Sequence, residues 1–225
     1  MRRAWHDHRL FWRELRRDFS ATGAVLPSGR RLSAALARYV DATRPTLRVL
    51  EVGPGTGAVT RRIAARMHAD ARLDLVEANP AFATRLDERI RTDRAFRKVA
   101  PRVRVLPGYL EEQTLAGDYD VVISGLPLNN FSPQRVAELL DCLRSQLAPG
   151  GTLSFFEYCA IRSFRGVVAE RETRARLRGI AQTLREVLRE GRFDRRLVWA
   201  NVPPAWVHHL RFRPSNPITE LSGAQ

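Results

Sequence analysis

The 225-residue chain holds only two cysteines, two methionines and a single lysine, Lys98. Cys142 and Cys159 are too few for a disulfide framework, and lone thiols fit a reducing compartment. No apolar run approaches the ~20 residues needed to span a bilayer. The charged N-terminus lacks the apolar stretch of a signal sequence, so the expected location is cytoplasmic, with any membrane contact peripheral. The pairs His6/His8 and His208/His209 lack the further ligands of a zinc site, so no metal is expected. Serine and cysteine nucleophile motifs are missing as well.

Positive charge is plentiful. The 38 basic residues, against 24 acidic ones, leave a formal charge of +14. That surplus favours a polyanionic partner, either an anionic lipid surface or nucleic acid. Residues 2–20 read as an amphipathic helix: at about 100° per residue, Trp5, Phe11, Trp12, Leu15 and Phe19 share one face, and Arg2, Arg9, Arg13, Arg16 and Arg17 lie opposite. The same stripe could pack on the protein's own core. A second basic stretch, residues 162–196, holds eleven arginines against five acids.

From residue 47 strands and helices alternate, which predicts βαβ units and a parallel sheet. Strands are expected at 47–52, 72–77, 103–106, 119–124, 152–158, 195–200 and 205–212. Helices are expected at 28–39, 56–67, 80–93, 132–147 and 167–189. Pro203-Pro204 joins the last two strands too tightly for a crossover, so they form an antiparallel pair. The expected organisation is a membrane-facing helix at 1–20, one catalytic domain at 21–213 and a flexible tail at 214–225.

The densest chemistry lies in Leu50-Glu51-Val52-Gly53-Pro54-Gly55-Thr56-Gly57, where a strand passes into a helix. Glycines there allow positive φ and close backbone approach to a ligand. With Ala58 the run also satisfies G-x-G-x-x-A, the dinucleotide pattern. Glu51, two residues before the first glycine, and Gly57 instead resemble motif I of class I methyltransferases, with the carboxylate facing the cationic methionine end of S-adenosylmethionine. Glu77 ends the second strand, where an acid can accept hydrogen bonds from both ribose hydroxyls.

After the fourth strand comes Ser124-Gly125-Leu126-Pro127-Leu128-Asn129-Asn130-Phe131. An rRNA adenine dimethyltransferase carries Asn-Leu-Pro-Tyr there, with a polar group for the exocyclic amine and a ring to stack the flipped base. Gly125 and Leu128 provide neither. Together with Thr22-Gly23-Ala24-Val25-Leu26-Pro27-Ser28 and Phe156-Glu157-Tyr158, these segments resemble the bacterial phosphatidylethanolamine and ornithine-lipid N-methyltransferases over most of the chain. Tyr109 stands where those enzymes commonly carry an acid.

The resemblance implies a Rossmann-like α/β fold with a seven-stranded, mostly parallel sheet whose last strand is antiparallel. It implies S-adenosylmethionine as methyl donor and a membrane-lipid amine as acceptor. Gly23, Ser28, Glu51, Gly53, Gly55, Gly57, Glu77, Ala78, Tyr109, Leu110 and Ser124 would then bind the donor. Tyr158, with Glu157 beside it, and Asn129 through its side-chain carbonyl are the expected groups for orienting and deprotonating the amine. An RNA methyltransferase and a catalytically inert membrane-binding module are the competing readings.

Overall fold

The computed structural model describes residues 29–159, 171–201 and 203–212. The expected N-terminal helix at 2–20, Gly23, Ser28, the start of the helix at 167 and the tail at 214–225 lie outside these residues.

Seven strands form one sheet: β1 (Arg48–Val52), β2 (Arg72–Glu77), β3 (Val103–Pro107), β4 (Tyr119–Ser124), β5 (Leu147–Tyr158), β6 (Arg192–Val198) and β7 (Ala205–Leu210). Their order is β3-β2-β1-β4-β5-β7-β6. Neighbours from β3 to β5 pair in parallel, and β7 runs antiparallel to both β5 and β6. The order reverses between β1 and β4, which leaves a crevice at their C-terminal ends where such sheets bind ligands.

Helices cover both faces. They are α1 (Arg30–Leu36, continued by a 3₁₀ turn at Ala37–Tyr39), α2 (Ala58–Arg66), α3 (Pro80–Thr92), α4 (Pro133–Ser145) and α5 (Arg171–Gly191). Caps fix the starts of α3 and α4. The Asn79 side chain accepts from the Ala81 N–H at 3.0 Å, and Ser132 Oγ accepts from the Arg135 N–H at 3.2 Å. Pro80 and Pro133 follow at the first helical position, where a missing N–H costs nothing. Central strands are buried on both sides, so side-chain alternation divides the interior into two cores. Val49, Leu73, Ile123, Phe156 and Val207 face α1, α2 and α3. Leu50, Val122, Leu153, Phe155 and Leu210 face α4 and α5.

Two boundaries differ from the sequence reading by more than two residues. Pro149-Gly150-Gly151 does not separate a helix from a strand but lies inside β5. Pairing with β4 shifts there, from Tyr119↔Leu147 to Val121↔Thr152. Gly150 has φ +74°, and a Cβ on Gly151 would meet the Tyr119 carbonyl oxygen at 2.8 Å, so the glycines form a bulge. Strand β6 begins at Arg192 rather than Arg195, because Gly191 passes directly from α5 into the sheet.

At the N-terminal ends of the strands, Asp74 collects the Arg104 guanidinium at 2.7 and 2.6 Å and the Tyr119 hydroxyl at 2.6 Å. Burial raises the pKa of this carboxyl, but Arg104 and Tyr119 outweigh it and hold it below the usual range. Tyr119→Phe removes one donor from a buried carboxylate. The expected loss is about 1–3 kcal/mol by urea denaturation; a loss under 0.5 kcal/mol would show that the bond adds little.

Candidate active site

The glycine loop is shaped by its left-handed residues. Gly53, Gly55 and Gly57 have φ of +73°, +53° and +80°. The Gly53 N–H donates to the Val76 carbonyl at 2.9 Å and the Gly57 N–H to Pro54 at 2.9 Å, so the loop crosses the end of β2 and turns into α2. Glu77 closes it. Its Oε2 accepts from the Gly55 N–H at 2.9 Å and its Oε1 from the Asn79 N–H at 2.8 Å. Burial raises the Glu77 pKa and those two bonds oppose the rise. Each carboxylate oxygen keeps a second lone pair, which suits a diol.

Glu51 is the electrostatic anomaly of this edge. It is fully buried, and neither carboxylate oxygen has a hydrogen-bond partner among the described residues. Desolvation pushes its pKa up to about 8; Thr60 opposes the rise, and the neighbouring Glu77 charge adds to it. The Thr60 hydroxyl is buried too and has no partner at hydrogen-bond geometry among the described residues. An orphaned buried carboxyl beside a glycine bend, with a second acid at the next strand's end, fits a ligand that carries both a cation and a ribose. S-Adenosylmethionine has that donor and acceptor set.

Along the edge, Gly108 follows β3 with φ +126°, and its N–H donates to the Glu77 carbonyl at 2.9 Å. Ala78 and Tyr109 are half-buried there, whereas Leu110 is buried and packs into the α4–α5 core. Ser124 is buried at the end of β4, its Oγ accepting from the Leu126 N–H at 3.3 Å. The Gly125 N–H donates to the Val52 carbonyl at 2.8 Å. A Cβ on Gly125 would stand 2.5 Å from the Gly53 carbonyl oxygen. Gly125 is therefore the condition for the β1 and β4 turns to meet.

Asn129 is buried in a 3₁₀ turn, Leu128–Asn130, which packs against β5 and α5. The structure separates the other two acceptor-site candidates. Tyr158 lies with Phe156 on the α1 side, the rings 4.9 Å apart at 70°, and burial raises its pKa. Glu157 lies on the α4–α5 side, the face of Phe155, with its Oε2 3.6 Å from Nε2 of the buried His208. Adjacent strand residues point to opposite faces, so Tyr158 and Glu157 do not act as one unit. His208 was not predictable as a neighbour of Glu157 without the β5–β7 register, and that register is the signal that places it. His209, on the other face, shares a 2.8 Å hydrogen bond with Ser154 Oγ. Desolvation lowers its pKa to about 4.

At the same edge the Gly29 N–H donates to Asn201 Oδ1 at 3.1 Å, which ties the start of α1 to the turn after β6. That turn carries Trp199, 74% exposed. Among the described residues no helix is long and apolar enough to cross a membrane, and no group of His, Cys, Asp and Glu is arranged to hold a metal.

Known proteins share this architecture. A family described as "Methyltransferase domain" matches residues 50–153, from β1 into β5. An ornithine lipid N-methyltransferase of Singulisphaera acidiphila is 32% identical over 148 residues, 66% of this chain and 76% of that protein. The O-methyltransferase of Bacillus cereus, in complex with SAH, superposes with a TM-score of 0.61 at 15% identity, covering 89% of this chain and 90% of that one. The O-methyltransferase TomG of Streptomyces achromogenes, in complex with SAM, gives 0.56 at 15% identity over 81% of this chain and 78% of that one. With the sheet order, the glycine bend and the paired acids, these likenesses place the chain in the class I S-adenosylmethionine-dependent methyltransferases.

Proposed function

We propose that the protein methylates the amine of a membrane-lipid head group, ornithine lipid or phosphatidylethanolamine, at the cytoplasmic surface of an anionic membrane. The observation that carries this reading is the 32% identity to an ornithine lipid N-methyltransferase across two thirds of the chain. Three features support it. The formal charge of +14 suits an anionic surface. Trp199 is exposed at the same sheet edge as the glycine loop, where an amphipathic ring suits a lipid interface. Gly125 leaves no room for a base-reading side chain in this geometry.

When bound, S-adenosylmethionine supplies an electrophilic methyl group on a sulfonium. Glu51 and Glu77 would hold its cationic and ribose portions, and Ala78, Tyr109, Leu110 and Ser124 would line the rest of the site. The protein's remaining tasks are to align the acceptor and to free its lone pair, because a lipid ammonium is protonated at neutral pH. Glu157 can bind the ammonium as a carboxylate and Asn129 can orient it through its amide oxygen. Gly23 and Ser28 would close over the donor, and residues 2–20 would rest in the bilayer interface.

The test is incubation of purified protein with methyl-labelled S-adenosylmethionine and vesicles containing phosphatidylethanolamine or ornithine lipid, with bulk RNA in parallel. Label is expected in the organic extract from one or both lipids. Label confined to RNA would sink the lipid reading.

A further inference from the structure

Each methylation of an ammonium head group releases one proton, and with a lipid seated over Glu157 that proton needs a second holder until product leaves. His208 provides one. It is 1% exposed, and neither ring nitrogen has a hydrogen-bond partner among the described residues. Buried polar groups in folded proteins are nearly always partnered, so this one calls for a reason. His209 next to it bonds Ser154 through Nδ1, so only its Nε2 is left without a partner among the described residues. His208 instead stacks on Phe155, centroids 5.2 Å apart at 28°, with Nε2 3.6 Å from Glu157 Oε2. Phe155 pairs with His208 and Glu157 with Trp206, so His208 lies one step inward from Glu157 on the same face. The turn bearing Asn129 packs against β5 as well.

We propose that Glu157 and His208 form the proton-accepting pair for the amine, with Glu157 touching the ammonium and His208 positioning Glu157 and storing the proton. The inference rests on the lipid-amine reading given above. One N–H bond of the bound ammonium breaks, its electron pair stays on nitrogen, and the proton moves to Glu157 Oε2. From there it passes to His208 Nε2, which restores the carboxylate and leaves an imidazolium beside it. The freed lone pair would then take the donor's methyl group, the bonding pair of the broken S–CH3 bond staying on sulfur. When product leaves, the proton returns through Glu157, whose side chain is 17% exposed, to water.

The charged groups around the pair are few. Cys159, just past the end of β5, and Arg195 on β6 both interact electrostatically with Glu157, and the Arg195 guanidinium lies 3.5 Å over the Trp206 ring. His209 acts on His208 from across the sheet. Within residues 175–191 of α5, Arg176 is the one charged side chain that is not exposed. Burial pushes the Cys159 thiol up.

The test compares wild type, His208→Asn and Cys159→Ser on vesicles of phosphatidylethanolamine and of ornithine lipid between pH 6 and 10. His208→Asn should lower kcat at pH 7 by roughly 10- to 100-fold, with KM for S-adenosylmethionine within twofold. Its deficit should shrink by up to about tenfold per pH unit and vanish near pH 10, where the amine loses its proton unaided. Cys159→Ser should follow wild type. A His208→Asn deficit constant at every pH overturns the pairing. Wild type inactive on both lipids overturns the lipid reading itself, and the relay with it.

Discussion

Binding of S-adenosylmethionine is expected to tighten by up to about tenfold per pH unit between pH 6 and 8, with release of close to one proton per molecule bound. The cause is Glu51. In the free protein its pKa stands near 8 because burial and Glu77 both oppose ionisation, so at pH 7 the carboxyl is mostly protonated. A cationic ligand stabilises the carboxylate and expels that proton. Above pH 8 the affinity should level and then fall, because the ligand's own α-amino group loses its charge there. Glu51→Gln should abolish the slope and weaken binding at pH 8 by roughly 100-fold, equivalent to about 2.7 kcal/mol. Calorimetry in two buffers of different ionisation enthalpy counts the protons directly. A pH-independent affinity without proton release would refute the role assigned to Glu51.

The same carboxyl shapes stability without ligand. Its folded pKa is raised, so its contribution is complete below the unfolded value near 4.5 and is lost as pH rises to about 8. His209 acts in the opposite sense. Its folded pKa is depressed to about 4, so its contribution is complete above the unfolded 6.5 and is lost as pH falls toward 4. Between pH 4.5 and 6.5 the two slopes oppose each other. From pH 6.5 to 8 Glu51 acts alone, so the free protein should lose stability there and Glu51→Gln should not.

Residues whose meaning is local were legible from sequence. Glu51 and Glu77 are identified by their distance from a glycine bend at a strand's end, and the fold places both where that distance implies. The helices expected from 80 and 132 start within one residue of those positions, because their caps and first-turn prolines act through short-range chemistry alone. Residues whose meaning depends on a neighbouring strand were not legible. Pro149-Gly150-Gly151 is turn chemistry in isolation, yet the pairing of Tyr119 with Leu147 turns it into a bulge. Glu157 and Tyr158 are adjacent in sequence and on opposite faces in space, a consequence of the two-residue period. The Glu157–His208 approach exists only because β7 pairs with β5 in one particular register. Gly125 is the clearest case. In sequence it is a lost side chain, whereas in the sheet it is a contact.

That contact leads to the second large effect expected, in Gly125→Ala. The added Cβ would lie 2.5 Å from the Gly53 carbonyl oxygen and 3.5 Å from that of Val52. Both are backbone atoms, so no side-chain rotation relieves the clash. Gly53 is itself confined, since the space where its Cβ would stand is closed by Leu126 Cδ2 at 2.6 Å and its N–H is engaged by Val76. The C-terminal ends of β1 and β4 must therefore part, and the donor loop and the acceptor turn move with them. A cost of about 2–3 kcal/mol in stability and roughly 100-fold in turnover is expected, because displacements near 1 Å carry that penalty. Gly55 provides the control. A Cβ there meets nothing within 4 Å and its constraint is only φ +53°, a conformation that asparagine tolerates. Gly55→Asn should cost about 1 kcal/mol or less, whereas Gly125→Asn should be at least as harmful as Gly125→Ala. Denaturation midpoints separate the two positions. If Gly125→Ala binds the donor within threefold of wild type and unfolds at the same urea concentration, the strand ends do not meet as described.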